Sequence, residues 1–327
     1  MRGSRRFLVA TLLLATSGVS RAADPAAAFE SWSRLPRLDL GKLAAGRIEV
    51  QCNASMRFAR GLSGEAVCLV DAPVEVTSRV LLSSDPTKHA ELDVYQYRSF
   101  RNEQQAAFDA LKLDPKITAV RHLLETMSKP GVLQLSADER ANLPKGASPN
   151  EAALFLSSVL RSRWSAAASR GDLGGVNGCD IRGEIKSLLG EEPKIAKHFA
   201  ALLQPLTDGK VFAPPAEFYW DVSKVNGIAT VELGATSTRT EDGRRQVLEV
   251  TFFASSGYLA SVSLYELLPV TIQGRSRTLV WQGCLVSSVE LAGGFGIKRQ
   301  IAAVMMKSDL EQSMRLLQQD AAQAAKD

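Results

Sequence analysis

The sequence predicts an α+β fold, and three observations carry the prediction. Residues 101–205 repeat apolar side chains at helical spacing, residues 216–287 switch to a period of two between glycine-marked turns, and the chain closes on one long amphipathic segment.

In chain order, DPAAAFESWS (24–33) reads as a short helix with Asp24 as N-cap and Pro25 at its first position. A hairpin follows at about 47–70, with RIEVQCNASMRF and EAVCLVDAP around ARGLSG. The pattern then predicts a helix over Val74 to Leu82, a proline-containing break, and a strand over Leu92 to Phe100. In the helical stretch, Ser148 and Glu151 form a capping box around Pro149. Phe155, Val159, Trp164 and Ala167 follow at roughly helical spacing, and Gly171 suits the residue just past the helix end. Two further helices are expected over Ile181 to Leu189 and Pro193 to Leu203.

The period-two region predicts an antiparallel meander of five strands. Asn226-Gly227 between two alternating runs is a hairpin signal. Phe218, Trp220 and Val222 share one face, answered by Ala229, Val231 and Leu233. Leu248, Val250 and Phe252 alternate likewise, as do Val262 and Leu264, and RTLVWQGCLV with Trp281 is the last strand. Turns are expected at Asp242-Gly243, Ser256-Gly257 and Gln273-Gly274. Ile297, Ile301, Val304/Met305, Met314 and Leu317 then predict one long helix whose last turns fray into a polar tail.

The N-terminus has the form of an export signal. Arg2, Arg5 and Arg6 precede the 13-residue apolar run FLVATLLLATSGV, and Ser20 and Ala22 place small residues at a cleavage site. That run is shorter than the roughly 20 residues a membrane span needs. The expectation is a signal peptide over 1–22, a product in the periplasm or outside the cell, and no transmembrane segment after cleavage. The full chain has 39 Lys plus Arg against 35 Asp plus Glu. Four of those arginines (Arg2, Arg5, Arg6, Arg21) lie in the signal, so cleavage leaves 35 of each sign. A balanced chain without a basic run lacks the phosphate-neutralising excess of a nucleic-acid binder, so nucleic acid is not expected as a partner.

Cys52, Cys68, Cys179 and Cys284 are an even set in an oxidising compartment. Four cysteines allow three pairings; Cys52–Cys68 across the first hairpin with Cys179–Cys284 is the preferred one, and buried free thiols are the alternative. The glycine-rich stretch SRGDLGGVNGCD (169–180) invites comparison with a phosphate-binding loop. It follows a helix rather than a strand, and Cys179 stands where that motif requires lysine. A helix C-cap and a linker held at Cys179 account for it, Arg170-Gly171-Asp172 included.

Catalytic signatures are sparse. His89, His122 and His198 lie far apart and outside any metal-ligand spacing, no nucleophile-elbow motif occurs, and no cofactor or metal motif is found. GGFGIKR, with Lys298 and Arg299, reads as a tight turn into the last helix before it reads as an anion site. Paired carboxylates leave no spacing signature, which keeps a carboxylate-based hydrolase as a third, weaker reading.

A first strand and helix pair in GEAVCLVDAPVEVTSRVLLSSDPTKHAELDVYQY, then a curved antiparallel sheet and a long C-terminal helix, resembles the helix-grip fold of START and Bet v 1-like proteins. FYWDVSK, VTFFASSGYLASVSLYEL and TLVWQGCLVSSVELAGGFGIKRQI are also similar to an uncharacterised family of secreted bacterial proteins, from which ASSGY and QGCLVSSVE depart. The resemblance implies one helix-grip-like domain over 23–327 with a helical insertion at about 101–205. It also implies a mostly apolar cavity between sheet and C-terminal helix. The expected lining is Phe218, Trp220, Val231, Val250, Phe252, Val262, Leu264, Trp281, Ile301 and Met305. The function that follows is non-enzymatic binding of a lipid or other hydrophobic small molecule. The alternative is a structural or envelope protein-interaction module without a cavity, whose partner the sequence does not name.

Overall fold

The computed structural model describes residues 29–101, 105–176, 178–212, 216–293 and 296–326, so the signal segment and the first half of the helix expected over 24–33 lie outside the described residues. The meander is built from β6 (Glu217–Val225), β7 (Ile228–Glu241), β8 (Arg244–Ala254), β9 (Ala260–Ile272) and β10 (Arg275–Ser287). Three of its turns have both central residues at positive φ: Asn226-Gly227 (51°, 81°), Asp242-Gly243 (50°, 75°) and Gln273-Gly274 (53°, 74°). This is the two-residue turn whose twist matches its flanking strands, and it fixes the register.

Three earlier strands complete an eight-stranded antiparallel sheet: β1 (Glu49–Asn53), β2 (Gly61–Val70) and β3 (Val94–Phe100). The order is β1-β2-β10-β9-β8-β7-β6-β3, so β2 closes on the last strand and β3 on the first strand of the meander. All ten residues of β2 are buried, and its last five, AVCLV, are an unbroken apolar run, as burial on both faces requires. A separate two-residue ladder pairs β4 (Gly175–Val176) with β5 (Cys179–Asp180).

Each face of the sheet carries its own core. One face meets a helical layer: α1 (Leu40–Ala44), α3 (Gln105–Phe108), α4 (Thr118–Thr126), α5 (Ala137–Ala141), α6 (Pro149–Arg170), α7 (Ile181–Glu191), α8 (Pro193–His198) and α9 (Ala200–Asp208). The other face meets α2 (Val74–Ser83) and α10 (Ile297–Ala324). The helix expected over Pro193 to Leu203 is thus two helices that meet at Phe199.

The last helix corrects its predicted stripe. Ala303, Met306, Leu310, Met314, Leu317 and Ala321 are its buried side chains, and it stays helical to Ala324 rather than fraying. Ile297, Ile301, Val304 and Met305 are instead 66%, 57%, 71% and 53% exposed. The helix approaches β2 closely because Gly64 has no side chain. A Cβ there would stand 2.7 Å from Leu310 Cδ1 and 2.9 Å from Met306 Sδ. Arg299 ties the helix start to the β1–β2 connection by donating to the carbonyls of Ala54 (3.2 Å), Met56 (2.9 Å) and Ala59 (3.1 Å).

The fold excludes both expected disulfides, and all four thiols are free. Cys52 pairs with Gly64, and Cys68 lies four residues further along β2. That is about 13 Å at strand rise, whereas a bridge needs Cα atoms within about 4.4–6.8 Å. Cys179 packs into the helical-layer core and Cys284 into the core under α10, on opposite faces of the sheet. The 169–180 linker is held by other means. Gly171 ends α6 at φ 67°, and Asp180 caps α7 by accepting from the amides of Arg182 (3.2 Å) and Gly183 (3.0 Å). The Arg182 guanidinium donates to the carbonyls of Gly171 and Leu206.

Candidate functional site

The buried stripe of α10 sits over β1 and β2, at one end of the sheet. The middle strands on that face are therefore only partly roofed, and two adjoining cavities lie between them and the helix. An inner cavity of about 240 Å³ is lined on the sheet side by Tyr97, Tyr219, Glu249, Tyr265 and Gln282, and opposite by Val80, Leu81, Met314 and Leu317. An outer cavity of about 630 Å³ is lined chiefly by Leu62, Val286, Ile301, Met305, Met306 and Leu310, with Glu290, Lys298 and Asp309 among its polar residues. Leu92, Gln282 and Ser313 line both, so they form one amphiphilic cleft.

The polar floor follows from strand alternation. Phe218, Trp220 and Val222 face the helical layer, so Tyr219, Asp221 and Ser223 face the other way. Tyr219 lies flat over Gly234, where a Cβ would stand 2.3 Å from the ring Cζ. That path lets the phenol share a hydrogen bond with Thr251 Oγ1 at 2.9 Å. Tyr97 stacks on Tyr219 at 6.0 Å between ring centroids. On α10, Ser313 donates to Gln282 Oε1 at 3.1 Å, and Gln282 donates to the Tyr265 hydroxyl at 3.0 Å.

Three carboxyl groups on this face, Asp221, Glu232 and Glu249, form no ion pair among the described residues. Asp221 stands directly opposite Glu232 in the β6–β7 register, and both are buried, at 8% exposure each. Burial, and then the charges of Glu232 and Glu249, push the Asp221 carboxyl well above its ordinary range. Its Oδ1 has no hydrogen-bond partner among the described residues. Burial also raises Glu232, against hydrogen bonds from Tyr258 and from Ser223 Oγ at 2.9 Å. Burial raises Glu249 too, offset in part by the Tyr219 hydroxyl. The tyrosines Tyr97, Tyr219, Tyr258 and Tyr265 are pushed upward, first by burial and then by neighbouring carboxylates, so they stay neutral phenols. At the far end His89 Nε2 meets Asp320 Oδ2 at 2.9 Å.

Of the predicted lining, Ile301 and Met305 border the outer cavity. The structure places Phe218, Trp220, Val231, Val250, Phe252, Val262, Leu264 and Trp281 on the opposite face, in the core shared with the helical layer. Trp220 Nε1 donates to Ala107 O at 2.9 Å, Phe218 packs edge-on against Trp164, and Trp281 stacks on Phe199. Those residues do form one surface, as their spacing requires, but its cover is the helical layer and not α10. Another buried acid, on the helical-layer face, explains part of that cover. Glu65 accepts from Ser33 Oγ (2.5 Å), Arg34 N (3.1 Å) and Trp281 Nε1 (3.0 Å), which pins the segment around residues 29–38 to the sheet.

Among the described residues no group of three or more His, Cys, Asp or Glu is placed to hold a metal ion. No helix there is long and apolar enough to cross a membrane. Compared with models of protein families and with curated proteins, the chain matches none.

Proposed function

We propose that the chain is a non-enzymatic, exported binding protein of helix-grip type that holds an amphiphilic small molecule between its sheet and its C-terminal helix. The observation that carries this is the joined cleft, chiefly apolar along its outer part and polar on its inner floor. The START and Bet v 1-like order of elements supports the same reading. Burying about 200 Å² of apolar ligand surface would contribute about 5 kcal/mol before the costs of association. The test is native mass spectrometry of protein purified without detergent. An extra mass lost on denaturation is expected; a bare protein that also takes up no Nile red would overturn the reading. A structural or protein-interaction module is the second reading, favoured by the exposed Ile297, Ile301, Val304 and Met305. It predicts a bare protein and a crosslinked partner on the first half of α10.

A further inference from the structure

We propose that the polar end of the ligand is a cation, an ammonium-type headgroup seated in the inner cavity beside Glu249 and among the side chains of Tyr97, Tyr219 and Tyr265. This rests on the binding role above and names the class of ligand. The acidic side chains lining the inner cavity are Glu217, Glu249 and Asp320, beside His89, and no Lys or Arg lines it among the described residues. His89 is paired with Asp320, and Glu217 has Arg101 Nε at 3.2 Å. Glu249 has the Tyr219 hydroxyl and, among the described residues, no ion pair. Beside this floor, Asp221 holds its proton and faces Glu232 with an oxygen that has no hydrogen-bond partner among the described residues, so the negative field at the site comes from Glu249.

An anionic headgroup would meet that field unpaired in a place largely shielded from water, and a neutral one would leave the carboxylates as they are. A cation supplies the missing countercharge, and three neutral tyrosine rings line the space it would occupy, within reach of cation–π attraction. The space suits such a group. The inner cavity holds about 240 Å³, on the order of eight water volumes. An attached chain can run past Leu92 and Ser313 into the apolar outer cavity.

The test is displacement of Nile red from the full protein by three probes of equal chain length: decyltrimethylammonium, 1-decanol and decyl sulfate. The cation is expected to compete at concentrations about tenfold below the alcohol, with the sulfate weakest. In Glu249→Gln and in Tyr97→Leu, the cation-to-alcohol ratio measured on each variant should fall below about threefold. The wild-type ranking needs no variant to fold. Equal competition by all three probes, or a lead for the sulfate, would overturn the cationic headgroup and leave amphiphile binding standing. Failure of Nile red and all three probes to bind would overturn both.

Discussion

Gly234→Ala is the sharpest perturbation of the cleft floor. A Cβ at this position would stand 2.3 Å from Tyr219 Cζ, 2.4 Å from its hydroxyl and 2.6 Å from Cε1. Those atoms belong to a rigid ring, and ordinary carbon contact lies at about 3.5 Å, so the ring must retreat by about 1.2 Å or more. That movement breaks the 2.9 Å bond to Thr251. Overpacking costs about 1–3 kcal/mol and the lost buried hydrogen bond about 1 kcal/mol. Replacing glycine within a strand returns up to about 1 kcal/mol. The net is a destabilisation of about 1–3 kcal/mol, or about 2–6 °C in Tm for a chain of this length. Scanning calorimetry reads it, and the control is the same substitution in a Tyr219→Ala background. With the ring gone, the alanine should be neutral or stabilising. A Gly234→Ala protein that melts at or above wild type, or equal losses in both backgrounds, would refute the reasoning.

Three further outcomes follow from the buried acids and thiols. Asp221 holds its proton more tightly in the folded state than in the unfolded chain, so its contribution is present below the unfolded carboxylate range and is lost as pH rises through its raised value. Asp221→Asn should therefore stabilise at pH 7, on the order of 1–3 kcal/mol, and flatten the fall in Tm between pH 4 and 8; slopes identical to wild type would contradict this. Glu65→Ala strands Ser33, Arg34 N and Trp281 and should cost about 2–4 kcal/mol. Limited proteolysis of that variant should cut near residues 29–38 first, and uniform cleavage would argue against the pinning role. Air-oxidised protein denatured in thiol reagent should titrate all four cysteines, and a count of two or none would show bridges that this fold excludes. In the folded protein Cys68 should resist the reagent, since it is fully buried and burial pushes its thiol up to about 12.

Local chemistry was the legible part of this sequence. Asn226-Gly227, Asp242-Gly243 and the Ser148–Glu151 capping box each fix geometry within a few residues, and each appears where its spacing places it. The cover of each sheet face was not legible. A period of two says that Phe218, Trp220 and Val222 lie together; it does not say which helices they meet. The alternate positions are polar, and polar alternates ordinarily face water, so Tyr219, Asp221, Glu232 and Glu249 carried no signal of a floor beneath α10. A clue was present in Gly234, a glycine in mid-strand whose neighbour on β6 is a tyrosine. The thiol pairing failed for a related reason: flanking a hairpin places Cys52 and Cys68 on paired strands, but only the register sets their distance along them.

The partnership of β2 with β10 also sets an order of events during folding. Thr278 donates to the carbonyl of Ala72 across 206 residues of chain, while the meander β6 to β10 is joined by short turns. A strand destined for burial on both sides is thus made early, and its inner neighbour is the last strand to be made. Until β10 arrives, β2 has only β1 to pair with and α10 has not yet formed to cover it. The meander can assemble promptly from its own hairpins, whereas joining the early and late halves is the non-local, slow step. A nascent chain halted before residue 275 therefore keeps an open, apolar strand edge, and a chaperone that screens such edges would engage it at β2 rather than within the meander.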